Sequence, residues 1–363
     1  MKTILLSLLA LTLIVCTGCQ DGTSSSMFQN NPERTGVFNS EAPYELTALE
    51  WKCRTDGAVF SSPVVHDGTV YFGSCDSSLY AVDIQTGEEN WKYDVNSLIT
   101  LSPAVSGHIV YVSSSDTGIY AFNTITGEEI WNYSCFGMVY SSPAILDDVV
   151  YFGSLNGSLY AVDKITGREL WSFKTEDQIL SSPALHDGTI YIGSSDSCFY
   201  AVDIVTGEMK WKFRTTDWIQ STPAISDDAV YFGSWNGCLY ALDIETGREK
   251  WIFRTSDAIV SSPAVFNDAI YFGSWDNHFY SVNIETGQER WRFNSGDMIQ
   301  SSPAIADSIV FFGSNDGYLY ALDILTGLEL WKFKTNGFIV SSPVISDGMV
   351  LFGSSDSCLY AIR

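Results

Sequence analysis

Eight tryptophans recur along this chain at a constant interval of 40 residues, and eight prolines, from Pro63 to Pro343, keep the same interval. A fixed period without insertion or deletion across residues 51–363 indicates one body built from copies of a single unit, rather than several unrelated domains. The repeated tryptophans are Trp51, Trp91, Trp131, Trp171, Trp211, Trp251, Trp291 and Trp331.

Each copy predicts four short β-strands. In the copy that begins at residue 179, runs rich in β-branched and aromatic residues occupy 179–185, 189–194, 198–203 and 208–213, with polar, turn-forming residues between them. No segment shows helical periodicity. Eight copies of four antiparallel strands predict an all-β fold, an eight-bladed β-propeller, in which radial closure protects the sheet edges.

The two ends of the chain complement each other. The last copy stops at Arg363, after its third strand, whereas Trp51 precedes the first inner strand. We therefore expect residues near 46–54 to pair with the C-terminal blade as its outer strand, which closes a propeller spanning residues 44–363. Cys53 and Cys358 lie on the strands so paired, and a disulfide between them is a hypothesis that depends on the register.

The composition excludes some classes of partner. Hydrophobic residues make up 45% of the 363 residues, which is enough for a sizeable buried core. Asp and Glu number 43 against 19 Lys and Arg, and the formal net charge is -24. Because such a surface repels phosphate, nucleic acid and anionic membrane surfaces are poor partners.

The N-terminal residues indicate export. An apolar run over residues 4–16 is too short for a transmembrane helix and is typical of a secretory signal peptide, here residues 1–18. The following Cys19 resembles the cleavage site of a lipoprotein, so we predict its lipidation and a membrane-anchored protein at the cell envelope or cell surface. Ordinary cleavage nearby is the alternative. Residues 19–43 would form a tether, flexible at 20–26, and a lead-in segment.

Residues that could carry chemistry are scattered. Six cysteines follow Cys19 without a C-x-x-C pair, and the four histidines are dispersed, so no metal site is predicted. Asp76 and its counterparts between the second and third strands are residue types that turns require. Ser62 and its counterparts place hydroxyls on the inner strands with no base beside them, which predicts packing and water contacts rather than nucleophiles.

The motif A-x-D-x-x-T-G-x-x-x-W at residues 81–91 identifies the kind of repeat. Near-copies occur at 161–171, 201–211, 241–251 and 321–331. The motif resembles the tryptophan-docking repeat of eight-bladed propellers of the pyrroloquinoline-quinone (PQQ) type, and residues 27–36 resemble the lead-in of that family. The resemblance implies that each repeated tryptophan is structural and stacks between the alanine of its own motif and the peptide beside a neighbouring motif's glycine.

The PQQ-type family contains quinoprotein dehydrogenases and catalytically silent scaffolds, so the fold alone does not decide function. The dehydrogenases hold PQQ and calcium on long loops inserted between blades, and many carry an adjacent pair of cysteines. This chain has neither feature. We therefore predict no enzyme activity, no cofactor and no catalytic residue. In architecture, anchor and size the chain is similar to BamB-type lipoproteins, which implies a monomeric scaffold for envelope or surface proteins.

Function is expected where the copies differ, because positions that vary on a repeated backbone are free of the common packing demand. Three tryptophans outside the docking set and four other large apolar residues occupy such positions on one face. They are Trp218, Trp235, Trp275, Met138, Leu155, Met298 and Phe338. These residues are the predicted partner or ligand surface, and the alternative is that they pack onto neighbouring loops or plug the mouth of the channel. A glycan- or quinone-binding propeller is the competing function, ahead of a PQQ-dependent dehydrogenase.

Overall fold

The repeats form eight antiparallel sheets in the computed structural model of the chain, and each sheet contains four blade strands. The structure describes residues 25–116, 118–226 and 228–363, and these form an eight-bladed β-propeller, as the repeat predicts. The predicted signal peptide (1–18) and the predicted lipidation site Cys19 lie outside the described residues. No helix occurs in the described part of the chain, so none there is able to cross a membrane.

Each blade consists of an inner, a second, a third and an outer strand, and blades are numbered here in chain order. The inner strands are Val64–His66, Ala104–Ser106, Ala144–Leu146, Ala184–His186, Ala224–Ser226, Ala264–Phe266, Ala304–Ala306 and Val344–Ser346. The second strands are Thr69–Gly73, Ile109–Ser113, Val149–Gly153, Thr189–Gly193, Ala229–Gly233, Ala269–Gly273, Ile309–Gly313 and Met349–Ser354. The third strands are Ser78–Asp83, Gly118–Asn123, Ser158–Asp163, Cys198–Asp203, Cys238–Asp243, His278–Asn283, Tyr318–Asp323 and Cys358–Ile362. The outer strands are Glu89–Asp94, Glu129–Ser134, Glu169–Lys174, Met209–Arg214, Glu249–Arg254, Glu289–Asn294, Glu329–Lys334 and, for blade 8, Leu49–Arg54.

The inner strands are shorter than the apolar pattern predicts. In blade 4 the inner strand covers Ala184–His186, although the apolar run begins at Ile179. Pro183 has no backbone N–H for a sheet bond. Ile179 donates its backbone N–H to the carbonyl of Ser154 in blade 3 (3.1 Å), so the first part of the run joins two blades instead of extending the strand.

The two ends of the chain meet in blade 8, as predicted. Leu49–Arg54 pairs with Cys358–Ile362, and in this register Cys53 lies opposite Leu359. Because consecutive strand residues point to opposite faces, Cys358 points away from the face on which Cys53 lies. Both cysteines are free thiols, and the predicted disulfide between them is wrong.

The lead-in segment is part of the propeller. Ser25–Ser26 pairs with the inner strand of blade 2, so the predicted flexible stretch 20–26 is wrong for these two residues. Four lead-in carbonyls then accept backbone N–H groups from the inner strands of blades 4 to 7, at 2.8 to 3.0 Å. The pairs are Pro32 with Leu185, Glu33 with Ile225, Thr35 with Val265, and Gly36 with Ile305. The segment thereby covers strand edges that would otherwise be unpaired.

Arg34 fixes the lead-in segment beneath the central channel. Its side chain is fully buried, and its guanidinium donates to the backbone carbonyls of Pro183 (3.1 Å), Pro143 (3.0 Å) and Phe28. Burial lowers the pKa of Arg34 to about 9, which is still above neutral pH, so the group keeps its charge. The guanidinium carbon also lies 5.7 Å from the centroid of the Phe28 ring. One charged side chain therefore joins the lead-in segment to blades 3 and 4.

The core lies between blades, where each repeated tryptophan docks onto the next blade. Trp131 lies opposite Ala121 in its own sheet and donates its indole N–H to the carbonyl of Lys164 in blade 3 (3.1 Å). Its ring covers Gly167, which has a φ of +67° and where an added Cβ would lie 2.6 Å from the ring. Blade 8 ends before the equivalent turn, and Trp331 donates instead to the carbonyl of Pro43 in the lead-in segment (3.0 Å).

Candidate functional site

The two faces of the disc carry different loops. The top face carries the loops from each outer strand to the next inner strand and the hairpins between second and third strands. The bottom face carries the hairpins between inner and second strands and those between third and outer strands. All seven residues of the predicted partner or ligand surface lie in top-face loops.

A cup opens on the top face along the propeller axis. Its volume is about 360 Å³, and Phe28 of the lead-in segment lies at its base. A ring of hydroxyls surrounds the cup above this base. The lining hydroxyls belong to Ser62, Ser102, Ser142, Ser182, Thr222, Ser302 and Ser342. The channel of the propeller is therefore closed from below by the chain's own N-terminal segment.

The hydroxyl ring links neighbouring blades. The backbone N–H of Ser142 donates to the Ser182 hydroxyl (2.9 Å), and the backbone N–H of Ser182 donates to the Thr222 hydroxyl (3.3 Å). The same bond recurs between five further pairs of blades. Because the oxygen in each of these seven bonds accepts an amide proton, the O–H of that residue is left as a donor for a molecule in the cup.

The mouth of the cup is where the copies disagree. One residue from each blade lines it, and the eight are Phe60, Thr100, Tyr140, Leu180, Gln220, Val260, Gln300 and Val340. No charged side chain lines the cup within the described part of the chain. Sequence reasoning marked these loops as variable, but it did not place Phe28 beneath them, because the lead-in segment has no counterpart among the copies.

The three additional tryptophans form one cluster. The rings of Trp218 and Trp235 meet edge to face with centroids 5.6 Å apart, and those of Trp235 and Trp275 do so at 4.8 Å. Trp235 donates its indole N–H to the side-chain oxygen of Gln220 at the mouth of the cup (3.2 Å). Trp218 is 46% exposed, whereas the other two are half-buried. The cluster therefore presents one open indole rather than a platform of three stacking faces.

The other predicted surface residues are spread around the top face. Met138 is exposed, Leu155 and Met298 are half-buried, and exposed Phe338 stacks on Phe60 at the mouth of the cup, with centroids 5.6 Å apart. Leu155 donates its backbone N–H to the carbonyl of Met138 (2.8 Å), so these two residues belong to one pair of loops.

Sequence reasoning missed the most exposed aromatic residue of the top face. Phe136 is 93% exposed, and its φ is +55°, a conformation in which residues other than Gly, Asn and Asp are strained. Exposed Leu98 lies in the preceding loop. The signal was present in the sequence, because an aromatic residue at position 136 stands where the other copies carry polar residues or Gly.

The recurrent acids of the top face stabilise turns. Asp76 accepts the Tyr80 hydroxyl (2.6 Å) and the backbone N–H of Ser78 (3.1 Å). Burial acts to raise the pKa of Asp76, but the hydrogen bonds from Tyr80 and from the Asp56 backbone outweigh it, and the pKa lies below its usual value. No group of three or more His, Cys, Asp or Glu side chains within residues 25–116, 118–226 and 228–363 could hold a metal ion.

The PQQ-type fold raises the question of whether the cup suits PQQ and calcium. Calcium takes about six to eight oxygen ligands, usually including carboxylates, and the carboxylates of PQQ favour cationic partners. The lining described here offers hydroxyls, the amides of Gln220 and Gln300, and hydrocarbon, but no carboxylate and no cation. Arg34 is fully buried and does not line the cup. These residues do not fit the cofactor with its metal.

Comparison with known families agrees with this architecture. A family model described as "Outer membrane protein assembly factor BamB" matches residues 45–138, 96–211, 155–295 and 276–363, which together span the propeller. The chain belongs to this family. No curated protein matches it significantly by sequence.

Solved structures from different functional classes resemble the BamB-family propeller described here. The computationally designed Ika8 protein is 21% identical, covers 88% of this chain and 99% of its own, and gives a TM-score of 0.78. BamB from Moraxella catarrhalis is 18% identical over 87% of this chain and 99% of its own, with a TM-score of 0.75. The quinohemoprotein alcohol dehydrogenase ADHIIG from Pseudomonas putida HK5 is 16% identical over 92% and 76%, with a TM-score of 0.81. At these identities the likeness shows a shared fold.

Proposed function

We propose that the chain is an exported, lipid-anchored scaffold without catalytic activity, whose top face binds a protein partner at the cell envelope. Family membership supports a BamB-like role, and the lining of the cup includes no His, Cys, Asp, Glu or Lys side chain among the described residues. The observation that carries the proposal is the exposed and strained Phe136.

Neither packing nor backbone geometry favours phenylalanine at position 136. The counterparts in the other copies are Asp56, Asn96, Glu176, Thr216, Ser256, Gly296 and Asn336. Only Asn96 and Gly296 among these share its positive φ, and Asn and Gly are the residue types that tolerate it. Strained backbone and an open aromatic ring persist where another molecule supplies the compensating contact. We therefore assign Phe136 to a partner contact.

The chemistry of the top face indicates what kind of partner would fit. Exposed Met138 lies in the same loop as Phe136, exposed Leu98 lies in the preceding loop from outer to inner strand, and the tryptophan cluster lies farther round the ring. The same top-face loops carry acids whose carboxylates each accept the backbone N–H of the next residue at 2.7 to 2.8 Å, namely Asp177, Asp217, Asp257 and Asp297. A protein surface with apolar residues flanked by basic residues complements this arrangement.

Site-specific photo-crosslinking tests the proposal. A benzophenone amino acid at position 136, in the full-length protein in its native membranes, is expected to give one discrete adduct with an envelope protein. The matched control places the same probe at Leu325, which is also exposed but lies on the bottom face. An adduct from position 325 alone, or none from position 136, would contradict the assignment of the top face.

A second candidate function rests on the cup. Its hydroxyl ring, Gln220, Gln300 and the Phe28 base could bind a small neutral molecule that carries hydroxyl groups, such as a sugar. Titration calorimetry with monosaccharides and with a soluble quinone would test this candidate, and Gln300→Leu is expected to abolish sugar binding. Oxidation of alcohols or sugars that depends on added PQQ and calcium would contradict a non-catalytic role.

A further inference from the structure

The bottom face carries exposed aliphatic residues on three consecutive blades. At the hairpin between third and outer strands, blades 2 to 4 present Ile125 (73% exposed), exposed Ile165 and Val205 (78% exposed). Blades 5 and 6 carry Glu245 and Glu285 at the same position. Because the backbone is the same in each copy, the packing of the blades does not require apolar side chains at these tips.

The aliphatic surface continues onto the adjacent outer strands. Ile130 and Leu170 are exposed there on blades 2 and 3, and Met209 is exposed one position earlier on blade 4, where Lys210 is the counterpart of Ile130. On blades 5 and 6 the counterparts of Ile130 are Lys250, which forms an ion pair with Asp228 (2.5 Å), and Arg290, which forms one with Asp268. We call Ile125, Ile130, Ile165, Leu170, Val205 and Met209 the aliphatic crescent.

The N-terminal segment emerges beside the aliphatic crescent. Ser25 pairs with Ser106 at the bottom end of the blade 2 inner strand. Ser25 and Ile165 both line a groove of about 860 Å³ between blades 2 and 3. Cys19 precedes Ser25 by six residues, a length of chain that reaches at most about 20 Å when extended. A lipid on Cys19 would therefore hold this side of the bottom face close to the membrane.

We infer that the aliphatic crescent rests on a zwitterionic phospholipid bilayer, so that the disc stands with its top face directed away from the membrane. The inference rests on the lipid anchor of the proposed function. Exposed aliphatic side chains gain by entering the interface between headgroups and acyl chains. Asp163, Asp203, Glu128, Glu129, Glu169 and Glu208 outnumber Lys164, Arg168 and Lys210 around the crescent, so an anionic membrane would be repelled.

Oxidative footprinting provides the test, because two methionines of equal exposure lie on opposite faces. Met209 in the crescent is 47% exposed and Met138 on the top face is 49% exposed. The acylated full-length protein is attached to phosphatidylcholine vesicles, and the Cys19→Ser protein in solution is the reference. Attachment is expected to slow the oxidation of Met209 at least about threefold and to leave Met138 unchanged, because only the crescent enters the interface. Equal oxidation of both residues, or protection of Met138 alone, would overturn the inference.

Two variants separate the crescent from the anchor. Replacing Ile125, Ile165 and Val205 by Asn is expected to restore the oxidation of Met209 on vesicles. Leu325→Asn, at the same hairpin position on blade 7, is the matched control and should leave the protection intact. Phosphatidylglycerol vesicles should protect Met209 less than phosphatidylcholine vesicles. If Met209 is oxidised more slowly than Met138 in the vesicle-free Cys19→Ser protein, a second copy covers the crescent, and this result would also overturn the inference.

Mass spectrometry of the N-terminal peptide first establishes whether Cys19 carries acyl chains. If it does not, the anchor of the proposed function fails, but the crescent is still tested. A hexahistidine sequence placed before residue 19 then attaches the protein to phosphatidylcholine vesicles that contain a chelating lipid, and the same difference between Met209 and Met138 is expected.

Discussion

The docking tryptophans and the top-face tryptophans are the same side chain in two settings. Each of the eight docking residues donates its indole N–H to a backbone carbonyl of the next blade or of the lead-in segment, at 2.8 to 3.3 Å. Trp218, Trp235 and Trp275 instead pack on one another, and the indole N–H of Trp275 is buried without a hydrogen-bond partner in the described part of the chain. The tryptophans repeated in every blade stabilise the disc. The additional tryptophans occur on only two blades, and one of them, Trp218, has an indole ring open to contact.

The largest expected loss of stability comes from replacing a docking tryptophan. Trp131→Ala removes a buried indole and its hydrogen bond to Lys164, and should lower the free energy of unfolding by about 3–5 kcal/mol. Urea denaturation followed by circular dichroism measures the loss. Trp218→Ala is the matched control and should cost less than about 1 kcal/mol, because its ring is half exposed. Equal losses would remove the distinction between the two sets.

Arg34 extends the comparison to the lead-in segment. Arg34→Met leaves the carbonyls of Pro143, Pro183 and Phe28 without their donor, which should lower the free energy of unfolding by about 2–3 kcal/mol. Arg168→Met is the control, because Arg168 is exposed. If both variants unfold at the same urea concentration, the lead-in segment does not contribute to stability in the way proposed.

Phe136 should respond in the opposite direction. Phe136→Asn introduces the residue that Asn96 supplies at the same backbone conformation, so the free energy of unfolding should stay constant or rise by up to about 1 kcal/mol. The crosslinked adduct, followed with a probe at Met138, should disappear. A clear loss of stability would mean that Phe136 is a packing residue, and the partner contact would have to be sought elsewhere on the top face.

The smallest effect concerns pH. Hydrogen bonds from Thr166 and Thr246 hold the pKa of Asp163 and of Asp243 below the usual value. A pKa lowered by folding stabilises the protein above about pH 4 and loses that contribution as the pH falls through the folded pKa. The double variant Asp163→Asn and Asp243→Asn should therefore show a flatter decline of melting temperature between pH 5 and pH 2, measured by calorimetry. Asn123 and Asn283 already occupy this position in blades 2 and 6.

The part of the fold that repeats could be predicted from the sequence, because each copy confirms the others. The spacing of Trp and Pro predicted the blades and the pairing of Leu49–Arg54 in blade 8. The pairing of the two strands is offset by one residue from the register that would place Cys53 opposite Cys358, so the disulfide does not form. An apolar pattern does not fix the register to one residue. The short inner strands also escaped the pattern, since Ile179 is as apolar in a link between blades as in a strand.

The candidate site could be predicted only in part. The copies identified the top-face loops and the three additional tryptophans, but they could not show that these rings meet edge to face. The base of the cup depends on Phe28 and Arg34, which occur once and have no counterpart to compare. The strain at Phe136 comes from the sign of a backbone angle, and residue type alone does not report that angle.

The route of the lead-in segment also sets the order in which the molecule can be completed. Residues 25–36 of the lead-in segment bind blade 2 and blades 4 to 7. Leu49–Arg54 can pair only after Cys358–Ile362, the C-terminal strand, has been synthesised. Contacts of such large sequence separation form late and slow the folding reaction. Solenoids whose repeats touch only their neighbours lose structure one repeat at a time. This propeller, in which Leu49–Arg54 pairs with Cys358–Ile362, should instead unfold in one cooperative step.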